Sequence, residues 1–185
     1  MKKAYSIDKM NAAILHVEAA TLLVLRDEHH EAAHTLLSAA RRVLWDLSTE
    51  RPSELIEKLK NAVVKLVKPG HEKEWIKYQN RAANFFKHAD RDPDEILSGI
   101  DLPAVNQAEL LLLTMVIGEY NCRLSHRLTI ALCYCGFKEP GWFDFRAYVS
   151  KSDASEMEFD YYQNMSDQKR TELLLLAYDR FGHDN

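Results

Sequence analysis

The amino-acid sequence predicts an all-α protein, folded as a single bundle of about seven to nine helices. Apolar residues recur along most of the chain at the three- and four-residue spacing of amphipathic helices. Only six Gly and five Pro occur in 185 residues, which leaves few of the turns that an all-β architecture needs. Because 46% of the residues are hydrophobic and 28% are charged, the composition is typical of a globular domain with one full core.

Four helices are predicted in the first half of the chain. An apolar stripe predicts the first at about residues 8–26 and the second at about residues 30–47. The short connection between them makes these two helices antiparallel neighbours. Pro-containing segments flank a third helix at about residues 53–68, and a fourth is expected at about residues 72–89.

The second half contains the centre of the predicted bundle. A Pro at its start and a Gly at its end delimit a short helix at about residues 93–98. Asn106 and Glu109 have the spacing of a helix-capping pair and are expected to begin the next helix. Residues 107–135 are apolar around most of the helical circumference, which places them in the core, with a break expected at Gly118. Two further helices are expected at about residues 153–165 and 168–181.

Charge and cysteine usage restrict the function. A net charge of -4 argues against broad, charge-driven nucleic-acid binding, but it allows a small site for RNA. Three cysteines, Cys122, Cys133 and Cys135, lack the paired spacing of zinc or redox sites and are expected to be buried thiols. The longest apolar run is too short to cross a bilayer, and the chain starts without the apolar core of a signal peptide. A cytoplasmic location, with no membrane partner and no cofactor, is therefore expected.

The segment at residues 81–90 contains the residues best suited to chemistry. On a helix, Arg81, Asn84 and His88 lie at i, i+3 and i+7 and therefore share one face. Lys77 lies on the same side, next to an aromatic stripe, so these side chains are expected at the edge of the buried face. A histidine with its ordinary pKa near 6.5 exchanges a proton readily at neutral pH. This face could bind and cleave a phosphodiester.

Arg81 and His88, separated by six residues, match an Arg-x4-6-His signature, and through it residues 7–100 resemble the HEPN superfamily. The resemblance implies a small all-α domain, with a helical extension at about residues 101–185. Many members are metal-independent ribonucleases or toxins in which two protomers pool their Arg and His residues. RNA as a substrate, a homodimer, and an antitoxin or another protein partner are implied in the same way.

The resemblance also implies roles for individual residues. Arg81 would stabilise charge on the phosphate, and His88 would activate the ribose 2′-hydroxyl or protonate the leaving oxygen. Asn84 would orient the phosphate or the imidazole. The chain departs from the family pattern in two respects, because Ala82 follows the Arg where a polar residue is common and about half of the chain follows the motif.

A second polar group lines one side of the second predicted helix, at helical spacing: His34, Ser38, Arg41 and Trp45. Arg41 or Arg42 is expected to pair with Glu18 of the first helix, which is a structural role. The functional alternative is a non-catalytic helical binding protein. In that case, a polar pocket between the first, second and fourth predicted helices holds a partner, a nucleotide or another anion. The residues that extend this pocket are Lys77, Lys87 and Arg91.

No metal centre is predicted. Glu31 and His34 form one Glu-x-x-His motif, as in carboxylate-bridged di-metal bundles. Such a site needs the motif twice, and no other histidine of the chain has a Glu three residues before it.

Overall fold

The computed structural model describes residues 6–50, 69–87, 94, 96–120, 124–138 and 166–181. The predicted all-α class is confirmed, since the regular secondary structure of these residues is helical. The predicted helices at 53–68 and 153–165 lie outside the described residues. Six helices are described: α1 (Lys9–Arg26), α2 (His30–Glu50), α3 (Glu72–Lys87), α4 (Leu102–Glu119), α5 (His126–Lys138) and α6 (Asp167–Phe181).

The turn between α1 and α2 reverses the chain, as predicted. Asp8 caps the start of α1 by accepting a hydrogen bond from the backbone N–H of Asn11 at 2.8 Å. At the other end, Asp27 adopts a left-handed conformation with φ of 55°. Its N–H donates to a carbonyl group of the last turn, and His29 is also left-handed with φ of 49°. The two helices then pack along each other.

The apolar helix α4 lies at the centre of the bundle, where the sequence predicted it, and packs against α1, α2, α3 and α5. It begins earlier than predicted, because Asp101 is its N-cap and accepts from the N–H of Ala104 at 3.1 Å. The predicted capping role of Asn106 and Glu109 is therefore wrong, and both side chains are fully buried inside the helix. The break predicted at Gly118 lies next to the end of α4 at Glu119.

Glu18 connects α1 to α5 and α6. The predicted pairing of Glu18 with Arg41 or Arg42 is wrong, because its carboxylate instead accepts a hydrogen bond from the Ser125 hydroxyl and lies 3.7 Å from Nη1 of Arg127. The same Ser125 Oγ caps α5 by accepting from a backbone N–H. Tyr178 of α6 donates its hydroxyl to the Glu18 carbonyl oxygen at 2.8 Å.

Two smaller expectations differ from the structure. Residues 96–98 are not helical, and the 79% exposure of Ile96 shows that this segment lacks the buried apolar face that stabilises a short helix. Cys133 is exposed, contrary to prediction, whereas Cys135 is buried and donates its thiol to the Gln107 carbonyl oxygen. Cys122 lies outside the described residues. Among the helices that the structure describes, none is both long and apolar enough to cross a membrane.

The central position of α4 predicts a large cost for truncating its apolar side chains. Leu110 is 0% exposed, so Leu110→Ala should lower the free energy of unfolding by about 2–5 kcal/mol through lost burial and a residual cavity. Leu176 of α6 is 67% exposed and provides the matched control. Leu176→Ala should change the free energy of unfolding by less than about 0.5 kcal/mol. Urea unfolding of both variants measures the difference, and equal effects would contradict this packing.

Candidate functional site

Two residues of the predicted catalytic motif, Arg81 and Asn84, lie on the solvent-exposed side of α3, which we call its outer face. Arg81 and Asn84 are exposed, whereas Ala82 and Ala83 are buried against the rest of the bundle. The direction of burial therefore lies roughly 150° around the helix from Arg81. Lys77 is exposed on the same side. Ala82, one of the residues of the predicted buried face, is buried as predicted, and Arg81, Asn84 and Lys77 are exposed rather than partly buried beside it.

The last described turn of α3 packs on α2. The Phe86 ring lies 5.9 Å from the imidazole of His34, centroid to centroid, and is tilted by 55°. Phe85 makes an edge-to-face contact with Phe86 at 5.3 Å. His88 and Arg91, the remaining predicted site residues, lie outside the described residues. The contacts of Phe86 nevertheless fix where α3 lies just before His88.

A buried hydrogen-bonded chain joins α2 to α4. Asn106 donates through Nδ2 to the His30 carbonyl oxygen at 2.8 Å, and its Oδ1 lies 2.9 Å from Nδ1 of His34. The His30 carbonyl thus sets the orientation of the amide, which leaves Oδ1 as the acceptor for His34. His34 is fully buried, and its neutral tautomer in this arrangement has the proton on Nδ1 and a bare Nε2.

Glu109 is the charged member of this group. Its carboxyl group is fully buried, with Oε1 at 3.0 Å from Nε of Arg41 and Oε2 at 3.9 Å from Nδ1 of His34. The contact with Arg41 is an ion pair without the alignment of a hydrogen bond, since neither carboxylate oxygen has a hydrogen-bond partner. Arg41 reaches the surface and is 26% exposed. A buried carboxylate is therefore neutralised by a partly solvated guanidinium.

Several polar atoms of this group have no hydrogen-bond partner. Besides both Glu109 oxygens, these are Nε2 of His34 and Oγ of Ser38, which is 2% exposed. Each unsatisfied buried polar atom costs about 1–3 kcal/mol. We call the set His34, Ser38, Arg41, Asn106 and Glu109 the polar cluster. Such a concentration of unsatisfied groups in a core is typical of functional sites and of sites that hold internal water.

Burial shifts the pKa values of Glu109 and His34, two members of the polar cluster, in opposite directions. It raises the pKa of Glu109 to about 7, against the lowering effect of the positive charges of Arg41 and Lys87. It lowers the pKa of His34 to about 4, against the raising effect of the hydrogen bond to Asn106, and the same two cations lower it further. At neutral pH, His34 is neutral and Glu109 is close to its midpoint.

The structure brings together only part of the predicted pocket. His34 and Arg41 contact Asn106 and Glu109 of α4, whereas the predicted pocket lay between the first, second and fourth predicted helices, which correspond to α1, α2 and α3. Trp45 is 46% exposed and Lys77 lies on the far side of α3. Asn106 and Glu109 were missed because their spacing mimics a helix cap. The available signal was that Glu109 is the only ionisable residue between positions 102 and 118, inside a helix that must be buried. Among the described residues, no group of three His, Cys, Asp or Glu is arranged to hold a metal ion.

The raised pKa of Glu109 predicts a stability change with pH. Between the ordinary value of 4.5 and about 7, the unfolded chain has lost this proton and the folded chain retains it, so stability falls as the pH rises through that window. Glu109→Gln removes this effect. The stability of Glu109→Gln relative to wild type should therefore increase by up to about 3 kcal/mol from pH 4.5 to above pH 7, since each pH unit contributes about 1.4 kcal/mol.

The pH dependence of stability must be compared between Glu109→Gln and wild type, because the contribution of His34 to this dependence has the opposite sign to that of Glu109. The folded-state pKa of His34 is about 4 and its ordinary value is 6.5, so its contribution to stability is lost as the pH falls from 6.5 through 4. The two effects cancel in part in the wild type between pH 4.5 and 6.5. Urea unfolding across pH 4–8 resolves them, with Glu31→Gln as the exposed control. A difference between Glu109→Gln and wild type that is constant with pH would contradict the raised pKa.

The chain was also compared with known proteins. No protein-family model, curated protein or solved structure matches it. The HEPN resemblance therefore stays a prediction, and the functional argument rests on the residues of α2, α3 and α4.

Proposed function

We propose that this protein is a metal-independent ribonuclease that uses Arg81, Asn84 and His88. The observation that supports this proposal best is that Arg81 and Asn84 are exposed together, one turn apart, on the outer face of α3. An RNA strand is too large to enter a helical core, so its phosphodiester needs side chains on an accessible surface. A guanidinium on that face suits a phosphate group.

In the proposed reaction, the base is His88, one turn further along the chain than Asn84. The imidazole removes the proton of a ribose 2′-hydroxyl, whose oxygen attacks the adjacent phosphorus. The bond from phosphorus to the 5′-oxygen breaks, and a protonated imidazole returns a proton to that oxygen. The products are a 2′,3′-cyclic phosphate and a 5′-hydroxyl end. Arg81 stabilises the charge that accumulates on the non-bridging oxygens, and Asn84 donates a hydrogen bond to the phosphate.

A homodimer would complete the proposed site. One protomer supplies a single Arg81 and a single His88, and the reaction uses both a base and an acid. Two outer faces of α3 that meet across a two-fold axis would provide both imidazoles and both guanidinium groups. The exposure of Arg81 and Asn84 is a precondition for this arrangement.

The competing candidate, a small anion bound at the polar cluster, is less well supported. Its cation, Arg41, already pairs with the buried Glu109 at 3.0 Å. The cluster atoms without a hydrogen-bond partner include two carboxylate oxygens and a bare imidazole nitrogen, which are acceptors. An anion brings further acceptors and would face these groups unfavourably.

The ribonuclease proposal predicts metal-free cleavage of RNA. Purified protein in EDTA should cleave mixed cellular RNA, and His88→Ala should lower the rate by about 100- to 10,000-fold through loss of acid–base catalysis. Arg81→Ala should reduce it to a similar extent, because transition-state charge is left unstabilised. Product ends analysed by mass spectrometry should carry the 2′,3′-cyclic phosphate.

Arg42→Ala is the matched control for that assay. Arg42 is an exposed arginine on α2 that pairs with Asp46 one turn away, so its loss changes the net charge as Arg81→Ala does. Full activity of Arg42→Ala is expected. Equal activity of wild type, Arg81→Ala and His88→Ala, or no cleavage by wild type, would contradict the proposal.

A further inference from the structure

The outer face of α3 carries a row of positive charges. Lys73, Lys77 and Arg81 are exposed and follow one another at four-residue intervals. Each step of four residues advances about 6 Å along the helix axis and about 40° around it, so the row extends over about 12 Å on one side of the helix. We call these three residues the cationic row. Two exposed amides, Asn80 and Asn84, lie beside it.

No carboxylate of the described residues is paired with the cationic row. The two acids of α3 are Glu72 and Glu74, both in its first turn. Glu72 accepts a hydrogen bond from the Gly70 N–H at 3.0 Å, and Oε2 of Glu74 lies 3.4 Å from Nδ1 of His71. Both acids therefore contact the turn that precedes the helix. Within the described part of the chain, the three cations of the row form no ion pair.

An uncompensated row of like charges weakens a helix, because like charges at i and i+4 repel each other. By contrast, the exposed Arg42 of α2 pairs with Asp46 one turn away, with 3.2 Å between Nε and Oδ1. The whole chain has a net charge of -4, so the row is a local exception to the overall charge. A local arrangement that costs stability without a structural gain is typical of a functional surface.

We propose that Lys73 and Lys77 bind the next two backbone phosphates of RNA, on one side of the phosphodiester held by Arg81. This inference rests on the proposed ribonuclease function, which assigns Arg81 to the phosphate that is cleaved. The step of about 6 Å between neighbouring cations of the row is close to the separation of successive phosphates along a single nucleic-acid strand. The flexible lysine side chains absorb the remaining difference.

The proposed contacts position the RNA without reading its bases. A lysine binds a phosphate as a point charge, and a phosphate contact carries no sequence information. The cationic row therefore aligns the strand with the axis of α3, as positively charged surfaces do that follow a nucleic-acid backbone. It also favours substrates that extend beyond the cleaved bond on the side of Lys77.

The salt dependence of binding tests the inference, because it counts phosphate contacts. The probe is a short fluorescein-labelled RNA of mixed sequence with 2′-O-methyl groups, which has no free 2′-hydroxyl to attack the phosphorus. Fluorescence anisotropy gives its affinity over a series of salt concentrations. Each phosphate contact with a single strand contributes about 0.7 to the slope of log affinity against log salt concentration. The slope should fall in magnitude by about 0.7 for Lys73→Met, by the same for Lys77→Met, and by about 1.4 for the double variant.

The cleavage assay gives a second readout for the same variants. Lys73→Met and Lys77→Met should each raise KM about three- to tenfold with kcat changed less than about twofold, because phosphates remote from the reacting atoms are bound alike in the ground state and the transition state. Lys169→Met, on the exposed side of α6, is the matched control. It removes the same charge away from α3 and should leave the slope and KM unchanged.

The outcomes separate the two proposals. An unchanged slope in the double variant, an equal change in Lys169→Met, or no binding of the probe by wild type would overturn the phosphate-binding role of the cationic row. Absence of RNA cleavage by wild type, with the slope changes present, would instead overturn the ribonuclease and support the cationic row as an RNA-binding surface.

Discussion

The burial of the Glu109 carboxyl group is the constraint around which the described structure is arranged. A carboxylate inside a protein core needs compensating charge or hydrogen bonds, because its hydration has been lost. Here the compensating charge in contact with the carboxylate is the guanidinium of Arg41, whose Nε lies 3.0 Å from Oε1. One buried group on α4 thus attracts a charged side chain of α2. The His34–Asn106–His30 chain then fixes the distance between α2 and α4.

The two sides of α3 have different roles in this account. Its inner side rests on the polar cluster through Phe86 and on the core through Ala82 and Ala83. Its outer side presents Arg81 and Asn84 to solvent. A reactive site on a helix surface, such as the one proposed for Arg81 and Asn84, is precise only when the helix beneath it is held in one rotation.

Much of the fold was predictable from the sequence, as was the α2 part of the polar cluster, whereas its α4 part, Asn106 and Glu109, was not. Apolar periodicity predicted α1, α2 and the central position of α4, because helical spacing follows from local geometry and burial. The partners of charged side chains depend on tertiary packing. The sequence predicts a pair between Glu18 and Arg41 or Arg42, yet Glu18 binds Ser125 and Arg127, which lie more than a hundred residues away in sequence. The sequence also predicts a capping role for Glu109, because the spacing of a capping pair occurs inside helices as well as at their ends.

The exposure of the predicted catalytic face also differs from the prediction. The predicted buried face of α3 included Ala82, Phe85 and Phe86; in the structure, Ala82 and its neighbour Ala83 are buried and both Phe rings are half-buried. Alanine gives a weak hydrophobic signal in a sequence, so the burial of Ala83 was not expected. The Phe86 ring lies against the His34 imidazole, a contact between two helices that depends on tertiary packing and that helical spacing alone does not reveal.

The burial of the Glu109 carboxyl group can be tested directly by measuring the ionisation of this side chain. Carbon-13 labelling of glutamate side-chain carboxyl groups, with the Glu109 signal assigned by its absence in Glu109→Gln, allows an NMR titration from pH 3 to pH 9. The structure predicts a midpoint of about 7. A midpoint near the ordinary value of 4.5 would mean that Glu109 is hydrated, and it would contradict a polar cluster built around a buried carboxyl group.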